Sequence, residues 1–105
     1  MDAQIKKGLI EALVLAIVAK GDTYGYKLML DTAQILSLSE STLYPVLRRL
    51  EEQGCVDTYT QEFNSRLRKY YRITDAGFAK LRNYKEQWAQ ARKIINFIMD
   101  TEEPT

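Results

Sequence analysis

Between Thr74 and Asp100 the chain carries one continuous helical pattern, in which Leu81, Tyr84, Trp88, Ala91, Ile95 and Ile98 step by three, four, three, four and three. That spacing is an a/d seam held over about two and a half heptads. Ile94, Phe97 and Met99 widen it at the end. A helix over 75–99 would be about 40 Å long, too long to be covered by the rest of a 105-residue chain. The seam therefore predicts packing on a second chain, and a two-fold homodimer is the commonest closed arrangement. Trp88 lies midway along it. Tryptophan is bulky and carries an N–H that needs a partner. Across a two-fold axis Trp88 would face its own copy, over a gap able to hold a flat aromatic molecule in an apolar pocket. The plainer reading is a tryptophan packed at the interface.

The remaining elements follow from punctuation and period. Residues 2–19 read as a first helix with Ile5, Leu9, Ala12, Leu13, Ala16 and Ile17 at helical spacing. Ile10, Val14, Leu15 and Val18 fill much of its other side. Such a helix is expected to be covered by its own domain on one face and by something else on the other. Thr23 is the expected N-cap of a second helix, 24–35, with Leu28, Met29 and Ala33 facing the core. Ser37 or Ser39 caps a third, 40–53, with Ser37 and Glu40 spaced as a capping box. Gly54 closes it as a left-handed C-cap, and Pro45 inside it predicts a local bend. Residues 55–60 and 67–73 read as strands joined by a loop from Gln61 to Arg66. Thr74 caps the last helix. Three helices, a hairpin and a long helix make a mainly α fold, a winged helix-turn-helix over 1–74 with a C-terminal dimerisation helix and short tail over 75–105.

Composition narrows the chemistry. With no histidine there is no His-based nucleophile, His general base or His-ligated metal. One cysteine, Cys55, excludes an intrachain disulfide and a thiolate metal cluster. Its setting beside Gly54 predicts a small buried apolar residue rather than a redox switch. No cofactor, metal or membrane span is expected, the carboxylate pairs Glu51-Glu52 and Glu102-Glu103 do not converge on a cleft, and an enzyme is disfavoured. A soluble, cytoplasmic protein is the expectation.

The net charge is only +1, so any electrostatic argument must be local. On the third helix Leu43, Val46, Leu47 and Leu50 share one face, with Ser41, Pro45, Arg48 and Glu52 opposite and Thr42, Tyr44 and Arg49 at the flanks. That outer face suits the major groove of duplex DNA. Alternatively Arg48 and Arg49 merely pair with Glu51 and Glu52. The stretch Asn64–Arg72 adds Arg66, Arg68, Lys69 and Arg72 with no acid, four of the fifteen basic residues. Period-two alternation puts Arg66, Arg68, Tyr70 and Arg72 on one face and Leu67, Lys69, Tyr71 and Ile73 on the other. Charges protect edge strands, but charges of one sign suit a polyanion better. Helix and hairpin together favour binding of double-stranded DNA. The rival is a winged-helix protein-interaction module that never touches DNA.

Tyr24-Gly25-Tyr26, Ser41 to Glu51 (STLYPVLRRLE) and Arg68 to Thr74 (RKYYRIT) together resemble the PadR family of winged-helix transcriptional regulators over roughly residues 8–99. The single last helix is similar to its short-tailed subfamily. The resemblance implies a homodimer on a palindromic operator, usually as a repressor. It implies base and phosphate contacts from Ser41, Thr42, Tyr44 and Arg48, wing contacts from Arg66, Arg68 and Lys69, and Tyr24 as a candidate phosphate contact. It implies dimerisation through the last helix and the first, here with Ile5 and Leu9. Some short-tailed members bind flat cationic aromatic drugs between paired tryptophans. Trp88 matches that position, with Ile5, Leu9, Ala12 and Arg92 nearby. The family's wing tip is often rich in Gly and Pro where this chain has Asn64-Ser65-Arg66-Leu67, and the positive Arg92 would suit a neutral or anionic aromatic better than a cation.

Overall fold

The structure, a computed structural model, describes residues 1–104. Helix α1 (Ala3–Ala19) is capped by Asp2, whose carboxylate accepts from Gln4 N (2.9 Å) and Ile5 N (3.3 Å). A short strand β1 (Thr23–Tyr24) leads into α2 (Gly25–Ala33), then α3 (Glu40–Glu52), strands β2 (Val56–Phe63) and β3 (Arg66–Ile73), and α4 (Asp75–Met99). The sheet is antiparallel in the order β1-β3-β2. The three helices, hairpin and long helix expected from the sequence are all present.

Leu15, Leu28, Leu43, Leu47, Leu50 and Val56 are fully buried at the centre. Their burial explains the fold, since each such side chain contributes about 1.5–3 kcal/mol when taken from water. Helix α1 is the hub, packed against α2, α3, β3 and α4. Helix α4 meets it at Gly8 and Glu11. The second apolar side of α1 is only partly covered within the chain, with Ile5 and Leu9 exposed and Leu13, Ala16 and Ile17 half-buried. Helix α4 uses its first half internally. Leu81 packs on the core, and the rings of Tyr84 and Trp88 lie against α1 at Gly8. Its second half projects, leaving Ile94, Ile95, Phe97, Ile98 and Met99 exposed along a molecule 63 Å in its longest dimension.

Three local expectations need correcting. Thr23 does not cap α2. It pairs with Tyr71, and Tyr24 with Tyr70, so the backbone before α2 is drawn into the sheet and Tyr24 occupies the cap position. In α2 it is Thr32, not Ala33, that is buried, because its hydroxyl donates to the Met29 carbonyl (3.0 Å) and lets it enter the core. The Ser37–Glu40 capping box does not form, since Ser39 holds the cap and its carbonyl accepts from Thr42 N and Leu43 N. Helix α3 continues unbroken through Pro45, whose missing N–H falls on an exposed face. Gly54, at φ +73°, terminates α3 as expected, and Thr74 caps α4 by accepting from Gly77 N (3.1 Å).

Candidate nucleic-acid interface

Helix α3 buries Leu43, Val46, Leu47 and Leu50 and turns Ser41, Tyr44 and Arg48 outward, with Thr42 half-buried. At its start three hydroxyls gather. Ser39 Oγ lies 2.9 Å from Ser41 Oγ and 3.1 Å from Thr42 Oγ1. Polar side chains are thus presented as a group at the helix N-terminus, where the dipole also favours an anion. The Tyr44 ring leans over the first residue of α2. A Cβ on Gly25 would lie 2.7 Å from its hydroxyl, so the missing side chain makes room for the phenol.

The wing is longer and tighter than the sequence implied. Its strands pair from Val56–Ile73 to Phe63–Arg66, so the expected loop Gln61–Arg66 shrinks to Asn64-Ser65. Both turn residues take positive φ, +51° and +65°, as a hairpin turn matching the strand twist requires. Sequence reasoning missed it because neither residue is glycine. On one face Arg68 sits between two rings, 4.0 Å from the Tyr24 centroid and 4.1 Å from that of Phe63. Tyr70 stacks on Tyr59 at 5.4 Å and meets Tyr24 edge-on at 5.6 Å. These contacts hold a long cationic side chain in one place, lowering the entropy cost of using it. Tyr59 donates to Asp22 (2.6 Å), and that bond raises its pKa. On the other face Lys69 Nζ lies 3.6 Å from Glu51.

The structure brings Tyr24, Tyr44, Arg68 and Lys69, from three separate stretches of chain, onto one cleft that also has Gly25, Tyr26 and Leu67 in its walls. Arg66 stands apart, at the wing tip. Arg48 lies further along α3 and is exposed. Among the described residues Arg48, Arg66 and Arg68 make no ion pair, so these cations are available. The bland alternative for α3, Arg48 and Arg49 paired with their own helix's acids, is not what is found: Arg49 faces Glu11, and Glu51 is taken by Lys69 and Thr58.

Glu11 is the functional candidate that periodicity hid. Only 4% exposed, it accepts from Tyr84 Oη (2.8 Å) and Lys80 Nζ (2.5 Å) and faces Arg49 Nε at 3.7 Å. Burial pushes its carboxyl pKa up, but the hydrogen bonds from Lys80 and Tyr84 and the charges of Lys80 and Arg49 outweigh that and hold it below the usual value. Burial and the bond to Glu11 push Tyr84 up to about 12. The available signal was one acid in the apolar run from Leu9 to Val18.

Of the residues expected at a dimer interface, Leu81, Tyr84, Trp88 and Ala91 are half-buried within the chain, whereas Ile5, Leu9, Ile95 and Ile98 are exposed. A groove of about 620 Å³ between α1 and α4 is lined by Ile5, Leu9, Trp88 and Arg92 among others. Ala12 faces a neighbouring groove of about 470 Å³ that shares Leu9 and Trp88. Cys55 is buried. Among the described residues no helix is long and apolar enough to cross a membrane, and no three His, Cys, Asp or Glu side chains gather as a metal site.

Comparison with known proteins fits this geometry. A Streptococcus mutans protein of known crystal structure is 42% identical, with a TM-score of 0.83 over 94% of this chain and 93% of its own. A PadR-like transcriptional regulator from Bacillus cereus is 29% identical, with a TM-score of 0.80 over 95% of this chain and 100% of its own. A PadR family transcription regulator from Clostridium difficile is also 29% identical, with a TM-score of 0.79 over 86% of this chain and 97% of its own. A Lysinibacillus sphaericus protein is 31% identical over 103 residues, 93% of this chain and 94% of that one. The model of the PadR-like transcriptional regulators matches residues 14–83, spanning α3, the wing and the start of α4. With that match and this winged-helix architecture, the chain belongs to the PadR-like family of transcriptional regulators.

Proposed function

We propose that the protein is a cytoplasmic, homodimeric repressor that binds a palindromic DNA operator, and that it has no enzymatic activity. Residues 1–74 read DNA and residues 75–105 pair the chains. The observation that carries this is the single cleft shared by Tyr24, Tyr44, Arg68 and Lys69, which places the start of α3 and the base of the wing on one front. In this reading Ser41, Thr42, Tyr44 and Arg48 enter the major groove, where Arg48 also meets a phosphate, while Arg66, Arg68, Lys69 and Tyr24 hold the phosphates of the flanking backbone. The exposed Ile5, Leu9, Ile95 and Ile98, continuous with Leu81, Tyr84, Trp88 and Ala91, supply the dimer surface. The two α3 helices then stand one DNA turn apart, about 34 Å. The groove at Trp88 supports a small planar aromatic effector, neutral or anionic because of Arg92. It would release DNA only to the extent that it prefers a misaligned pair of heads. Quenching of Trp88 emission reports that binding.

The test is fluorescence polarisation with a labelled random duplex at low salt. Wild type is expected to bind. Replacing Arg68 and Lys69 with Ala should weaken all duplexes alike, whereas replacing Ser41 or Arg48 should also change sequence preference. No polarisation change for wild type would leave the protein-interaction module as the reading. Gly25→Ala is a finer probe. Its methyl would displace the Tyr44 phenol, which can swing away. Duplex affinity is expected to fall about fivefold, the loss of one hydrogen bond of about 1 kcal/mol, with the melting temperature little changed.

A further inference from the structure

We propose that Glu11 is a positioning residue that sets recognition helix α3 against α4, so that DNA occupancy and the state of the Trp88 side of α4 are coupled. The proposal rests on the DNA-binding reading above. Three helices meet on one buried carboxylate. Tyr84 and Lys80 of α4 donate to it at 2.8 and 2.5 Å, and Arg49 of α3 approaches at 3.7 Å. Lys80 also donates to Gln53, the residue that ends α3, at 2.6 Å. So α4 grips α3 twice, once through Glu11 and once directly.

The chemistry of this node is directional where apolar packing is not. Leucines fix the depth of α3, but a helix can still rotate or slide a little on an apolar face. Arg49 neighbours Arg48, so any rotation of α3 that aims Arg48 also moves the guanidinium facing Glu11. Arg49 Nε is buried without a hydrogen-bond partner at this distance, so its side of the node is the one with room to tighten. On the opposite side the Tyr84 ring rests 4.9 Å from Trp88, the only tryptophan in the chain. A shift of α3 on DNA therefore has a short path to a spectroscopic reporter. A buried ion group does not by itself favour stability over an apolar one. Its contribution here is alignment, and coupling of this kind is reciprocal between the two sites.

The experiment compares full-length wild type, Glu11→Gln and, as a control for plain destabilisation, Val18→Ala. Each is titrated with random duplex and with a duplex selected by wild type from a randomised pool, while Trp88 emission is followed. Glu11→Gln is expected to bind random duplex within about twofold of wild type, to lose about tenfold in discrimination for the selected duplex, and to lose the change in Trp88 emission on binding. Val18→Ala should lower the melting temperature and leave both readouts intact. If Glu11→Gln does not fold, Tyr84→Phe carries the test, with the emission response expected to drop by more than about half, since it removes one of the two direct α4 bonds to the carboxylate. Unchanged discrimination and unchanged emission response in a variant that binds random duplex overturn the proposal. A wild type that binds no duplex removes the DNA-binding reading first and this one with it.

Discussion

Raising monovalent salt from about 50 to 200 mM is expected to weaken duplex binding by roughly four orders of magnitude. If, as proposed, Arg48, Arg66, Arg68 and Lys69 each meet a phosphate in both protomers of a dimer, that makes about eight phosphate contacts and a log–log slope near −7. A net charge of +1 cannot generate such a slope, so the measurement isolates the local cations. The geometry also says how it can fall short. Lys69 lies 3.6 Å from Glu51 and must exchange that partner for a phosphate. If it stays, two contacts are lost and the slope settles near −5. Glu51→Gln should then steepen it again, because Lys69 no longer has a carboxylate to leave. A slope near zero would show that the hairpin is not a DNA clamp.

The second large effect concerns the fold. Gly77→Ala is expected to cost about 3 kcal/mol, the upper end for a forced extra methyl, and to lower the melting temperature by roughly 15 °C. Gly77 is fully enclosed at the start of α4. A Cβ there would overlap the Cys55 carbonyl oxygen and come within 2.7 Å of Ile73 Cγ1. Neither neighbour is free to retreat. The Cys55 carbonyl accepts from Thr74 N at 3.0 Å, and the Thr74 hydroxyl is fixed by donating to Gly54 O at 2.6 Å while accepting from Gly77 N. Gly54→Ala is the contrast. Nothing lies within 4 Å of its Cβ, so only the positive φ is penalised, by about 1 kcal/mol. Circular dichroism melts of the two variants separate close packing from backbone strain. Equal losses would refute the wedge at Gly77.

What could be read from residues alone follows the range of each interaction. Helices α1, α3 and α4, the Gly54 stop and the Thr74 cap are local, written in spacings of three and four and in single side chains. Strand β1 was invisible because two residues carry no period. Thr23 and Tyr24 become a strand only when β3 arrives beside them. The Asn64-Ser65 turn was read as a longer loop because Asn64 suits positive φ but Ser65 is not the glycine that usually follows it in such a turn. The cleft residues were identifiable by type, and alternation put Lys69 on the face opposite Arg68, but sequence could not say that Tyr24 would bracket Arg68 or that Lys69 would meet Glu51. Glu11 was lost in the apolar periodicity around it, although its partners lie as far off as Lys80 and Tyr84.

The two-residue tip of the hairpin has an evolutionary corollary. Every position of β2 from Val56 to Phe63 has a partner on β3, and nothing at the tip is slack enough to absorb a misfit. Insertions and deletions in this arm are therefore tolerated by parity. Adding or removing residues in matched pairs lengthens or shortens the reach of the arm while preserving its sidedness. A lone extra codon in β3 would turn Arg66 and Arg68 onto the side now held by Leu67 and Lys69, and descendants of this gene should vary in wing length by even steps.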